Sequence, residues 1–206
     1  MARIVIEHLM DKLWRWLYIE YVNSIKLFPE LVITNLPRKY HNLFPHNNVS
    51  DKSVFQLFDI SNIIILDPSA KLQLTSEAIR DNDVLVVGGI LGAHPPLGRT
   101  RLYLTSRFPG IRSYNIGPKQ LSIDGAVYVA RKIAEGCPLA SIKFLDNIKI
   151  RTWFGSTIIL PYRYPLVGGK PIISKELIKL LKRFGLPNMD NPQDEKIWGD
   201  VLALST

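Results

Sequence analysis

Residues 84–96 read Val84-Leu85-Val86-Val87-Gly88-Gly89-Ile90-Leu91-Gly92-Ala93-His94-Pro95-Pro96. Four β-favouring apolar residues run without a break into glycines. An unbroken apolar run is the pattern of a strand buried on both faces, the usual setting in a parallel sheet covered by helices. Glycines at its end allow positive φ and a close approach of backbone to a ligand. In open α/β sheets, ligands lie outside the carboxyl ends of the strands. The stretch therefore predicts a central strand that delivers a backbone-lined pocket; the alternative is a tight turn that binds nothing. The common nucleotide fingerprints are excluded. There is no third glycine at the dinucleotide spacing and no lysine at the phosphate-loop position.

Working outward, short apolar runs alternate with amphipathic stretches. A strand is predicted over Arg3 to Ile6, with Glu7 and His8 at its carboxyl end. Leu13, Leu17, Tyr21, Ile25 and Phe28 then recur at helical spacing, widened by Trp14, Tyr18 and Val22. Asp11 suits the start of that helix and Pro29 stops it. Further strands are predicted over Leu31–Thr34, Ile63–Leu66 (closed by Asp67-Pro68) and Ile111–Tyr114. Short helices are predicted over residues 51–58, from Thr75 or Ser76 to Arg80, and over 97–108. A longer one is capped by Ser122, buries Ala126, Val129, Ala130 and Ile133, and ends at Gly136. This alternation predicts an α/β fold, a mainly parallel sheet with helices on both faces.

The last third changes character. Ile142–Ile150 and Thr157–Pro161 are β-like, and Pro161–Pro165 is extended or turning. Ser174 caps a helix whose apolar face is Leu177, Ile178, Leu181 and Phe184. Met189 to Glu195 is polar, and after it Trp198, Val201, Leu202 and Leu204 are expected to tuck back on the body. The expected organisation is a domain over 1–150 with an extension, 151–206, packed on it.

Composition bounds the function. The chain has 206 residues, 47% of them hydrophobic and 21% charged, which describes an ordered globular protein. No apolar run is long enough to span a bilayer, and Glu7, His8, Asp11 and Lys12 interrupt any secretory signal. The single cysteine, Cys137, excludes an internal disulfide and a cysteine metal cluster. His41 and His46 have no carboxylate or cysteine at ligand spacing, so a surface loop is expected there and no metal. The simplest compartment is cytoplasmic. A net charge of +8 favours anionic partners, RNA above all.

The strand-and-glycine stretch, the turn at Ile116-Gly117 and the run Gln120-Leu121-Ser122-Ile123-Asp124-Gly125-Ala126 together resemble the SPOUT class of methyltransferases. More narrowly, the chain resembles the small SPOUT branch typified by the fungal Sfm-type arginine methyltransferase and its archaeal relatives. Ile6-Glu7-His8 with Trp16 and Glu20-Tyr21, Leu66-Asp67-Pro68, Gly88 to Gly92 with His94-Pro95-Pro96 and Arg99-Thr100, Gln120 to Ala126, and Tyr162-Arg163-Tyr164 with Gly169-Lys170-Pro171 match that branch in register. Relatives often carry an acid where this chain has Ala93. The resemblance implies a C-terminal deep trefoil knot whose loops hold S-adenosylmethionine bent. It implies cofactor contacts at Leu66 and Asp67; Gly88, Gly89, Ile90, Leu91 and Gly92; Asn115, Ile116 and Gly117; and Gln120, Leu121, Ser122 and Ala126. Ile90, Leu121 and Ala126 are candidates for the adenine slot.

The resemblance further implies methylation of an arginine on a ribosomal protein or ribosome-associated substrate. A carboxylate should then grip the guanidinium in a bidentate pair and help remove its proton. Glu7 is the first candidate because it ends a strand on the expected face. Neutral His8 is a candidate relay. Asp124 is the next carboxylate, its alternative role being a helix N-terminal acid. His94 before two prolines is expected to be a rigid loop wall. An RNA methyltransferase acting on tRNA or rRNA and a non-catalytic RNA-binding module are the alternatives. Either a monomer or a homodimer is compatible with the sequence.

Overall fold

The computed structural model describes residues 2–92, 95–188 and 191–203. Ala93, His94, Met189 and Leu204, each singled out above, lie outside the described residues. The main sheet is parallel, formed by β1 (Arg3–His8), β2 (Val32–Thr34), β3 (Ile63–Leu66), β4 (Val84–Gly89) and β5 (Arg112–Tyr114) in the order β2-β1-β4-β3-β5. The helices are α1 (Arg15–Leu27), α2 (Val54–Leu57), α3 (Arg99–Tyr103), α4 (Ile123–Ala134), α5 (Lys175–Phe184) and α6 (Pro192–Trp198).

Side chains alternate across the sheet, so each strand feeds two cores. Ile4, Ile6, Ile64, Leu66, Leu85 and Val87 pack with Leu17 and Tyr21 of α1 and Val127, Ala130 and Ile133 of α4. Val5, Ile63, Ile65, Val84 and Val86 pack on the other face against Val54 and Phe55 of α2 and against Leu104. Val84 to Val87 are all buried, as a central strand requires.

A second, antiparallel sheet is formed by β6 (Phe144–Arg151), β7 (Thr157–Val167) and β8 (Lys170–Pro171). Its pairing starts at Phe144, ahead of Ile150, where the sequence puts the edge of the main domain. β7 runs straight through Pro161–Pro165. Ile150, Ile158, Leu160 and Tyr164 join Leu177 and Leu181 of α5 against Trp16 and Ile19 of α1, with Trp198 of α6 closing the cluster. Helix α1 is thus covered on two sides, by sheet and by hairpin. Each large apolar side chain fully buried this way stabilises by about 1.5–3 kcal/mol.

Tertiary pairing moves several element ends. Helix α1 begins at Arg15 rather than near Asp11, because Trp14 bridges to Asp200 and has no side-chain cap to offer. The helix expected over 97–108 is split into α3 and a 3-10 turn at Thr105–Arg107, and Leu104 between them turns inward. The one expected to run to Arg80 is only a 3-10 turn, Ser76–Ala78. Ser122 and Ser174 cap α4 and α5 as their positions predict.

The glycines at the end of β4 act differently from the sequence expectation. Gly88, Gly89 and Gly92 do not adopt positive φ. They are needed for close approach. A Cβ on Gly89 would stand 2.1 Å from Tyr21 Oη and 2.9 Å from the Glu7 carbonyl. Gly89→Ala is therefore expected to cost about 1–3 kcal/mol. Urea denaturation should show a lower midpoint with an unchanged slope; a midpoint equal to wild type would contradict this packing.

Candidate active site

The loops that follow β3, β4 and β5 all leave the carboxyl edge of the parallel sheet, and together they bound one cleft of about 1070 Å³. That is slightly above the usual size of a small-molecule site, about 300–1,000 Å³. Leu66 and Asp67 line it from the first loop, and Gly88, Ile90, Leu91 and Gly92 from the second. Ile116, Gly117, Gln120, Leu121, Ser122 and Ala126 line it from the third loop and the start of α4.

Each loop is fixed by specific bonds. Asp67 is buried; its Oδ1 accepts from Ser69 N and Oγ, and its Oδ2 from Thr105 Oγ1 at 2.9 Å. Arg99 donates to the Leu91 carbonyl at 3.0 Å, holding the second loop. Asn115 and Gly89, both expected to touch a cofactor, are absent from the lining and act from behind it. Asn115 Oδ1 accepts from Gly117 N, while its Nδ2 donates to the carbonyls of Ala70 and Leu72. This secures the turn in which Gly117 takes φ 115°. Arg163 of β7 donates its backbone N–H to the Gln120 carbonyl at 2.8 Å, tying the third loop to the hairpin. Loops two and three meet at Gly92, where a Cβ would lie 2.4 Å from Gln120 Nε2 and 2.7 Å from the Tyr162 ring. Such a cradle, backbone-lined and walled by Ile90, Leu121 and Ala126, fits a flat nucleoside with an apolar face and many backbone contacts.

The same cleft also has an aromatic and acidic wall. Trp14, Trp16, Glu20, Tyr162 and Trp198 line it. Glu20 is 6% exposed; its Oε1 accepts from Trp16 Nε1 at 2.8 Å and its Oε2 from Ile123 N at 3.1 Å. Burial, and then the charge of Asp124, push its pKa up to about 8. Trp198 leans on Trp16 with ring centroids 5.7 Å apart. The indole N–H groups of Trp198 and Trp14 have no acceptor among the described residues.

The three expected catalytic residues do not line this cleft. Glu7 shares the parity of Val5 and so faces α2. Its carboxylate accepts from Thr34 Oγ1, from Ser53 Oγ at 2.6 Å and from Val54 N at 2.9 Å, anchoring the start of that helix. Burial raises its pKa against the opposing pull of those three bonds. His8 faces the opposite way and bonds Tyr21 Oη through Nδ1 at 2.9 Å. Burial lowers its pKa to about 4, so the ring is neutral at pH 7. Asp124, in the first turn of α4, accepts from Asn23 Nδ2 at 2.6 Å and Gly125 N at 2.9 Å, and burial raises its pKa. It stands behind Ile123 and acts on Glu20 through its charge. Glu20 is the residue that sequence reasoning named only as part of a motif. The available signal was a carboxylate four residues after a tryptophan on a helix with apolar residues around its circumference.

A family described as protein arginine N-methyltransferase SFM1-like matches residues 3–185. The Saccharomyces cerevisiae protein arginine N-methyltransferase SFM1 is 26% identical over 210 residues, covering 92% of this chain and 98% of the relative. The crystal structure of the yeast arginine methyltransferase SFM1 complexed with SAM superposes with a TM-score of 0.76 at 27% identity, over 88% of this chain and 90% of that one. A dual-specific Trm10 from Thermococcus kodakaraensis shares the fold, with a TM-score of 0.50 at 16% identity over 67% of this chain and 95% of its own.

Glu7→Gln leaves one of the three donors without an acceptor and is expected to lower stability by about 1–3 kcal/mol. Calorimetric titration of the folded variant with S-adenosylhomocysteine should give the wild-type affinity. Full stability with lost affinity would instead return Glu7 to the ligand site.

Proposed function

The chain belongs to the SFM1-like family of protein arginine N-methyltransferases, and on that premise we propose that it transfers the methyl group of S-adenosylmethionine to an arginine of a ribosomal protein. The observation that carries the acceptor side of this reading is Glu20, a buried carboxylate in the same cleft as the loops that follow β3, β4 and β5. The ribosomal acceptor is what the resemblance to the Sfm-type branch implies.

The donor brings a methyl group on a sulfonium. Leu66, Asp67, Gly88, Gly92, Gln120 and Ser122 hold it, and Ile90, Leu121 and Ala126 take the adenine. Holding donor and acceptor in line supplies about 7–11 kcal/mol of the barrier. A carboxylate accepts along about four directions, and Trp16 and Ile123 use two of them. Those that remain suit the paired N–H groups of a guanidinium. The incoming cation favours the ionised form, so Glu20 loses its proton as the acceptor binds. Trp16, Trp198 and Tyr162 flank the cationic arm. As the nitrogen–carbon bond forms and the sulfur–carbon bond breaks, the attacking nitrogen sheds one proton to Glu20. The guanidinium keeps its single charge throughout.

Glu20→Gln should reduce kcat/KM about 10²–10⁴-fold and leave S-adenosylhomocysteine affinity intact. Below a pKa of about 8 the acceptor has to displace the Glu20 proton. Acceptor KM should therefore fall as pH rises through that value in wild type and stay flat in the variant. A variant that turns over normally would remove Glu20 from the mechanism.

The substrate class is tested by transfer of labelled methyl into a ribosomal fraction divided between ribonuclease and protease. Label resistant to ribonuclease and lost to protease is expected. Label in RNA would overturn the arginine reading.

A further inference from the structure

The β6–β7 hairpin ends in a tightly bonded turn. Thr152 N donates to the Ser156 carbonyl at 2.9 Å and Gly155 N to the Thr152 carbonyl at 3.2 Å, with Gly155 at φ 92°. The turn is also docked on the end of α5: Trp153 N donates to the Lys182 carbonyl at 2.8 Å, and Phe154 packs over Gly185. A turn so well tied has no structural need to hold two large rings in water. Yet Trp153 is 70% exposed and Phe154 is 63% exposed. Trp14, Trp16 and Trp198 line the cleft, so Trp153 stands apart from every other tryptophan of the chain.

The two elements that meet at the turn carry cations on their exposed sides. Lys149 and Arg151 project from the exposed side of β6, and Lys179, Lys182 and Arg183 come from the last turns of α5. None of the five has an ion-pair partner among the described residues, and Arg183 lies over the Phe184 ring. The acid of α5, Glu176, is at the opposite end of the helix. From the tip, Ile159 on β7 and Leu186 lead into the lining of the cleft.

We propose that this tip docks single-stranded RNA, with Trp153 and Phe154 stacking on unpaired bases and the five cations taking phosphates. Exposed rings interleaved with uncompensated lysine and arginine form the footprint of single-strand binding, in which every base offers a π-face and every link a charge. A basic polypeptide segment is repelled by the same cations, and an acidic one answers the charges while leaving the rings without flat partners. This goes beyond the methyl transfer itself and holds whichever arginine accepts the methyl group.

The test is fluorescence anisotropy with a labelled twelve-nucleotide uridine RNA. Wild type should bind, with log affinity falling by about 0.7 per phosphate contact for each tenfold rise in salt. Trp153→Ala should weaken binding about 5- to 100-fold, and Arg151→Ala with Lys182→Ala should flatten the salt slope by about 1.4. Both variants should keep wild-type circular dichroism and methylate a short arginine peptide at the wild-type rate, because none of these residues lines the cleft. Absence of RNA binding at low salt, unchanged affinity in Trp153→Ala, or equal Trp153-dependent binding of poly-glutamate would each overturn the proposal.

Discussion

A carboxylate taken out of water must be given donors or lose its charge. Glu20 receives one donor from its own helix, the Trp16 indole, and one from the first N–H of α4. Trp16 in turn is pressed against Trp198 near the far end of the chain. One acidic group thus gathers α1, α4 and α6. Its burial depends on α1 being covered twice, by the sheet through Leu17 and Tyr21 and by the hairpin through Trp16 and Ile19. The segment around Trp198 is laced to the approach of α1: Arg15 N donates to the Gly199 carbonyl, Val201 N to the Leu13 carbonyl, and Tyr40 Oη to Asp200. The Glu20 wall of the cleft is therefore a product of long-range packing.

The strands that deliver the three loops, β3, β4 and β5, are marked by local pattern and were legible in the sequence for that reason. Val84 to Val87 announced a strand buried on both faces, and the loops after β3, β4 and β5 follow their strands directly. Ser122 and Ser174 marked their helices because capping needs only the next three residues. Gly89 and Asn115 were recognisable as special residues, but their work is indirect. Gly89 makes room for Tyr21, and Asn115 shapes the turn at Gly117.

Glu7 shows where such reading stops. Ile4-Val5-Ile6 is apolar on both faces, so β1 carries no alternation to tell which core Glu7 joins. Only pairing in the folded sheet settles its side, and that side is α2. Trp198 was equally silent. Its place was expected on the body, but nothing in the local pattern linked it to Trp16. The hairpin's reach has the same origin. β7 steadies the third loop through Gln120 and Tyr162, while its opposite end carries the exposed rings of the turn.

The role of Glu20 is most directly tested by counting protons. An arginine peptide is titrated calorimetrically into the enzyme saturated with S-adenosylhomocysteine at pH 7, in buffers of different ionisation enthalpy. With the pKa of Glu20 raised in the free cleft by burial and by the charge of Asp124, binding should release a proton as the acceptor arrives, and Glu20→Gln should abolish that release. Binding with no proton exchanged, or the same release from the variant, would contradict the assignment of Glu20 as the group that receives the arginine.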